Sequence, residues 1–144
     1  MERRPQNYAN HVKWDPPFHF FMAPVALAAV IVAIVHLVRF PSVGSGWLLL
    51  FALGFLVTVS RVRAYGTQLQ DRIIRLEEKI RLSQVLPEPL RSRIGELSDK
   101  QLVGLRFASD SELPALVQRA LDHKLSPADI KKAITNWRPD YSRI

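Results

Sequence analysis

Apolar positions cluster in two uninterrupted runs, and polar positions dominate after them. Residues 20–38 read FFMAPVALAAVIVAIVHLV, where His36 is the one group able to carry charge. Residues 47–60 read WLLLFALGFLVTVS and hold no such group. The nineteen residues of the first run rise about 28 Å as a helix, close to a hydrocarbon core of roughly 30 Å. Pro24 falls in the first turns of that run, where a missing N–H matters least. The stretch from Arg39 to Gly46 is rich in turn formers and is expected to interrupt the helix. The second run reaches spanning length if it starts near Val43 or Gly44 and Arg61 and Arg63 snorkel. Two apolar helices joined this closely must run antiparallel. The pattern therefore predicts a transmembrane hairpin, with spans at 20–38 and 47–62 and a short loop at 39–46. A soluble bundle would leave each helix a polar face, and these runs have none. A secretory signal has a short basic leader and a core of about 7–15 residues. Here an aromatic leader of residues 1–19 comes first, and a second apolar run follows at once.

Past Ser60 the period changes. Val62, Gly66, Leu69, Ile73, Leu76 and Ile80 alternate spacings of four and three, which predicts an amphipathic helix over 63–86. Gly66 is its weak point, at about 1 kcal/mol against alanine. Pro87 and Pro89 end it. Leu69, Ile73, Leu76 and Ile80 form a narrow heptad seam, suited either to another copy of itself or to the C-terminal domain folding back. Residues 87–144 read as three or four short helices. Pro89 opens a turn carrying Leu90, Ile94 and Leu97. Ser98-Asp99-Lys100-Gln101 has capping-box spacing ahead of Leu102, Leu105 and Phe107. Ser109 to Glu112 precedes Leu113, Leu116, Val117, Ala120 and Leu121. Ser126-Pro127 opens a last helix whose expected apolar face is Ile130, Ala133, Ile134 and Trp137. A core of under 60 residues is marginal alone, so this part is expected to lean on the long helix or on a partner. The aromatic and basic tail, Trp137 to Ile144, suits either docking or packing.

Lipid gives helices no hydrophobic reason to pair, so close contacts come through small residues. Ala26, Ala29, Ala33 and His36 share one face of the first span. Leu50, Gly54 and Thr58 share one of the second. Ala29 and Ala33 against Gly54 is the expected contact.

Charge then sets orientation. The net charge is +7, but residues 20–60 hold a single basic group, Arg39. The leader has Arg3, Arg4 and Lys13, and Arg61, Arg63, Arg72, Arg75, Lys79 and Arg81 follow the second run. Cytoplasmic flanks carry such excess, so both termini are expected in the cytoplasm, and in a bacterium the membrane is the inner one. Trp14, Phe18, Phe20 and Phe21 at one end and Trp47 at the other fit interfacial belts. In residues 87–144 ten basic groups interleave with eight acidic ones, a mixed surface and not a nucleic-acid footprint. Anionic lipid is the better partner for the basic cluster.

Catalytic constellations are not found: there is no phosphate-binding loop, dinucleotide fingerprint, zincin motif or nucleophile elbow. With no cysteine, thiolate chemistry and disulfides are excluded. His11, Asp15 and His19 have the residue types of a metal trio, but Asp15-Pro16-Pro17 is expected to prevent regular helical presentation of Asp15 and His19. His36, an intramembrane ionisable group, is the candidate cofactor ligand. The second span has no histidine, so one hairpin cannot form a two-histidine haem site, and a hydrogen bond from neutral His36 to a carbonyl or headgroup is the bland reading.

The leading expectation is thus an all-α membrane protein acting as a non-enzymatic accessory or scaffold subunit, without substrate or cofactor. Its hairpin packs in the bilayer, and its cytoplasmic helices engage other membrane-complex subunits or a homo-oligomer. The alternative is a cofactor-linked subunit of an electron-transfer or photosynthetic complex, holding haem or chlorophyll through a histidine. A homo-oligomeric channel ranks third, since only His36, Thr58 and Ser60 are available to line a lumen.

Asn7-Tyr8-Ala9-Asn10-His11 followed by Pro17-Phe18-His19-Phe20 resembles the start of an uncharacterised family of small bacterial two-span membrane proteins. The similarity continues through Leu102 to Asp110, Ile130 to Ile134, and Trp137 to Asp140. It implies the hairpin topology and a bacterial inner membrane, and it assigns no site.

Overall fold

The structure, a computed structural model, describes residues 5–12 and 14–140. Arg3, Arg4 and Lys13 of the orientation argument, and tail residues 141–144, lie outside the described residues. Every regular element among the described residues is helical, apart from an isolated antiparallel bridge between Ala108 and Trp137. Among the described residues two compact units emerge: 14–68, and 69–140 together with 5–12.

In the first unit a wide π-helical turn, Pro17–Met22, leads directly into α1, Ala23–Arg39. Helix α2 follows as Val43–Val85. Two helices are therefore long and apolar enough to cross a membrane. The first starts earlier than expected because Pro16 and Pro17 occupy its opening turn, where proline is preorganised. The loop shrinks from the expected 39–46 to residues 40–42 because Ser42 caps α2. Its hydroxyl accepts the Ser45 N–H at 3.1 Å, its carbonyl accepts the Gly46 N–H at 3.1 Å, and the Ser45 hydroxyl donates to the Phe40 carbonyl at 2.5 Å. Gly44 and Gly46, read as turn formers, become part of the first turn of α2.

Val30, Ala33 and Ala52 form the buried seam of this unit, with Ala29, Leu49 and Leu56 packed around it. Small side chains allow the close approach. Ala29 and Ala33 are at the contact, but Gly54 is not: a Cβ placed there would meet no atom within 4 Å. Gly54 lies two residues from Ala52, about 200° around the helix, so the two cannot share a face. Ala52, flanked by Leu49 and Leu56, supplies the small position instead. At the opposite end from the loop, the Asp15 carboxylate accepts from Arg63 at 3.0 Å, and the Arg63 guanidinium lies 5.5 Å from the Phe18 ring.

The second span (47–62) runs on into the amphipathic segment (63–86) as one helix, unbroken at the expected weak point Gly66. Its last part belongs to the second unit and contributes Leu82, and the chain just past its end contributes Leu86, to that unit's core. Around them pack Leu90, Leu97, Leu102, Leu105, Phe107, Leu113, Leu116, Val117, Ala120, Ile130 and Ile134. A short 3-10 helix (Arg91–Glu96) precedes α3, Asp99–Leu105, which opens with the expected capping box of Ser98 and Gln101. Gly104 sits where α3 meets α5, Pro127–Ala133: a Cβ there would make ordinary contacts, 3.4 Å from the Pro127 carbonyl and 3.5 Å from Ile130. Helix α4, Leu113–Asp122, ends in a Schellman turn, with the Leu125 N–H on the Ala120 carbonyl at 3.2 Å. Lys124 takes the left-handed position there, at φ 48°.

Candidate functional site

Helix α5 stops at Ala133, short of the expected Ile134 and Trp137. The cause is Glu112, whose carboxylate accepts the backbone N–H groups of Thr135 and Asn136 at 3.2 and 3.1 Å and the Thr135 hydroxyl. These donors are taken from a continuing helix. The chain then runs extended, with the Ser109 N–H on the Asn136 carbonyl at 3.1 Å and the Arg138 N–H on the Phe107 carbonyl at 2.7 Å. Trp137 is thereby laid against Phe107, ring centroids 5.0 Å apart.

The leader packs on this pair. The His11 ring lies 5.7 Å from Phe107, 5.8 Å from Trp137 and 5.6 Å from Tyr8. Its Nδ1 is 2.7 Å from the Tyr8 carbonyl, and its Nε2 is 3.4 Å from the Lys131 ammonium. Nδ1 faces a carbonyl and so carries the proton in the neutral ring, leaving Nε2 to accept from Lys131. Gln6 closes the arrangement like a strand neighbour: its amide donates to the Asp140 carbonyl at 3.2 Å and accepts the Asp140 N–H at 2.8 Å. Beneath, the nearly buried Arg106 guanidinium stacks 4.4 Å from the Phe107 ring and pairs with the Asp140 carboxylate at 3.1 Å. Gln6, Asn7, Ser109, Asn136, Trp137 and Arg138 wall an open cleft beside it. The stretches of the resemblance from 7–11, 102–110 and 137–140 thus meet in one place. This tether of leader to tail was not foreseen, because it depends on residues more than a hundred positions apart.

A second cluster ties α2 to the same unit. Glu78 is 4% exposed and accepts from Arg81 at 3.1 Å, with Arg138 at 3.7 Å. Arg81 also donates to the Asp110 carboxylate at 2.7 Å and the Ala108 carbonyl at 2.7 Å. Burial pushes the Glu78 carboxyl above its ordinary value, and Arg81 and Arg138 offset only part of that. On the surface of the same unit, Arg93 hydrogen-bonds Glu96 at 3.0 Å and holds its carboxyl below the ordinary value.

The other predicted residues lie elsewhere. His36 is exposed on α1, off the Val30–Ala33 seam, with its ring 5.4 Å from Phe40. Asp15 lies just ahead of the π-helical turn that holds His19, and the His19 N–H and Nδ1 both approach the Asp15 carbonyl, at 2.9 and 2.8 Å. The prolines start a helix there and do not block one. Asp15 uses its carboxylate on Arg63, while His11 packs on Phe107 in the other unit. Among the described residues no group of three or more His, Asp or Glu is placed to hold a metal. The C-terminal core does fold back on α2, but through Leu82 near its end and Leu86 just past it; Leu69, Ile73, Leu76 and Ile80 are exposed.

No curated protein and no solved structure matches this chain. The model of a family of unknown function, DUF6526, matches residues 1–144, the whole of it, and the protein belongs to that family.

Proposed function

We propose that this protein is a bilayer-anchored scaffold subunit, non-enzymatic, whose hairpin is embedded in the membrane and whose helical domain serves as a cytoplasmic platform. The observation that carries the reading is the exposure of the two apolar helices. Only 17% of the apolar window of each is buried, whereas a soluble core helix is mostly covered. Val25, Leu27, Ile31, Val32, Ile34, Phe51 and Phe55 face outward around the hairpin, a surface that lipid accommodates and water does not. Basic residues at the Arg61–Arg63 end put that end, and with it both termini, on the cytoplasmic side, in a bacterium that of the inner membrane. Trp14 with His19 and Phe20, at 4.9 and 6.2 Å, supplies an aromatic belt at the same level as Arg63 and Asp15. The scaffold assignment is supported by the polar side chains of the helical domain. Arg81, Glu78, Glu112, Gln101 and Gln6 all hold one segment to another.

The absence of cysteine makes the test direct. Membranes from cells expressing the chain are washed with alkaline carbonate, and a Pro41→Cys and a Gln84→Cys variant are treated with an impermeant thiol reagent. The reading expects retention in the pellet, labelling of Pro41→Cys in intact spheroplasts, and labelling of Gln84→Cys only after lysis. Release by carbonate refutes the membrane assignment, and the opposite labelling pattern refutes the orientation.

A further inference from the structure

Helix α2 has two faces over its last five turns or so. Ile74, Glu78 and Leu82 are buried on one, with Leu86 buried just past the helix end. The other side holds Leu69, Ile73, Leu76 and Ile80, which are 58%, 50%, 62% and 51% exposed. No element among the described residues covers them, yet their spacing is that of a coiled-coil seam. We infer that this seam pairs with the same seam of a second copy, as a parallel, in-register two-stranded coiled coil. The inference deepens the scaffold reading, and it rests on that reading for the parallel orientation.

Residue choice at the seam names the occupant. Assigning Ile73 and Ile80 to position a places Leu69 and Leu76 at position d. β-Branched residues at a with leucine at d favour two parallel strands over three or four. Charge agrees. Arg72 then falls at g and Glu77 at the e position five residues on, the pair that meets across a parallel in-register interface, and it meets twice by symmetry. An antiparallel pairing sets g against g, which brings Arg72 and Lys79 of the two copies together. Neither Arg72 nor Glu77 is buried. The off-seam neighbours already have partners within one chain: Arg75 pairs with Asp99, and Arg81 with Asp110 and Glu78. The helical domain therefore does not compete for the seam. A run this short is weak in free solution. Two copies inserted with one topology carry α2 out of the bilayer in the same direction, so register is the main freedom left to lose on pairing.

The test uses the full chain in vesicles of phosphatidylethanolamine and phosphatidylglycerol, diluted in lipid to suppress random collision. Single-cysteine variants Leu69→Cys, Ile73→Cys, Leu76→Cys and Ile80→Cys are oxidised beside Gln68→Cys and Asp71→Cys, which are exposed but off the seam. Disulfide dimers are expected at the four seam positions, with yields at least about fivefold above the two controls. In the Ile73→Cys background, Arg72→Glu or Glu77→Arg alone lowers the yield, and the two together restore it. A flat or absent pattern overturns the inference, as does failure of the double reversal to restore. Flotation of the same samples separates the two ideas. Floating vesicles with a flat pattern remove the dimer and leave the membrane anchor. A seam pattern from protein that does not float keeps the dimer and removes the anchor.

Discussion

Replacing Arg81 by methionine keeps the aliphatic stem but deletes every donor that fastens α2 to the loop at 108–110. Three contacts go: to Glu78 at 3.1 Å, to Asp110 at 2.7 Å and to the Ala108 carbonyl at 2.7 Å. Asp110 is largely exposed, so its share is under about 1 kcal/mol. The main cost is Glu78, left buried with Arg138 alone at 3.7 Å. Breaking a buried pair from one side costs about 3–5 kcal/mol, and the residual Arg138 contact puts the expectation near 3. Glu78→Gln acts oppositely. It removes a carboxylate held at a cost and keeps an acceptor for Arg81, so its effect is under about 1 kcal/mol. The double variant is expected to recover at least half of the Arg81→Met loss. Hydrogen exchange of α3 and α4 amides in the full chain reads this out. About 3 kcal/mol corresponds to roughly a hundredfold faster exchange where opening is in rapid equilibrium. The sign with pH follows from the raised Glu78 pKa. Its folded value exceeds the ordinary 4.5, so its contribution is most favourable below that pH and is lost as pH rises through the folded value. The stability advantage of Glu78→Gln over wild type therefore widens with rising pH. Unchanged protection in Arg81→Met, or a double variant as damaged as the single, refutes the reasoning.

Leu82→Ala, at a fully buried position, is expected to cost about 2–5 kcal/mol of helical-domain stability by urea titration, whereas Leu76→Ala changes it by under about 0.5. In the hairpin, Ala52→Leu overpacks the seam and is expected to cost about 1–3 kcal/mol in detergent thermal unfolding. Gly54→Ala meets open space and is expected to stabilise by up to about 1 kcal/mol through helix propensity. His11→Ala removes the ring between Tyr8, Phe107 and Trp137 and loosens the leader by about 0.5–1.5 kcal/mol. Limited proteolysis should then cut near residues 8–12 several-fold faster while α4 stays protected.

By itself the sequence determined the elements whose cause is local. Two apolar runs, a seam at four-and-three spacing, the Ser98 capping box, the Ser126 cap and the stop at Pro87 all follow from neighbours within a few positions. Their existence was legible, and so was the presence of Ala29 and Ala33 at the helix contact. What failed was whatever required knowing what lies opposite. Gly44 and Gly46 read as a loop until Ser42 and Ser45 closed the turn around them. Gly54 was the smallest residue in its run, yet Ala52 took the contact, because the face a helix turns inward is chosen by the partner's whole row of side chains. Trp137 fitted a helical period, but Glu112, more than twenty residues earlier, claimed the N–H groups that would have continued the helix. Between the two uses of the 69–86 segment, periodicity could not choose. Only the tertiary structure assigned Leu82 and Leu86 to the domain core and left Leu69 to Ile80 bare. The joining of leader to tail through His11, Gln6, Trp137 and Asp140 was equally out of reach, since pairing across that separation is decided by packing complementarity, which no local pattern encodes.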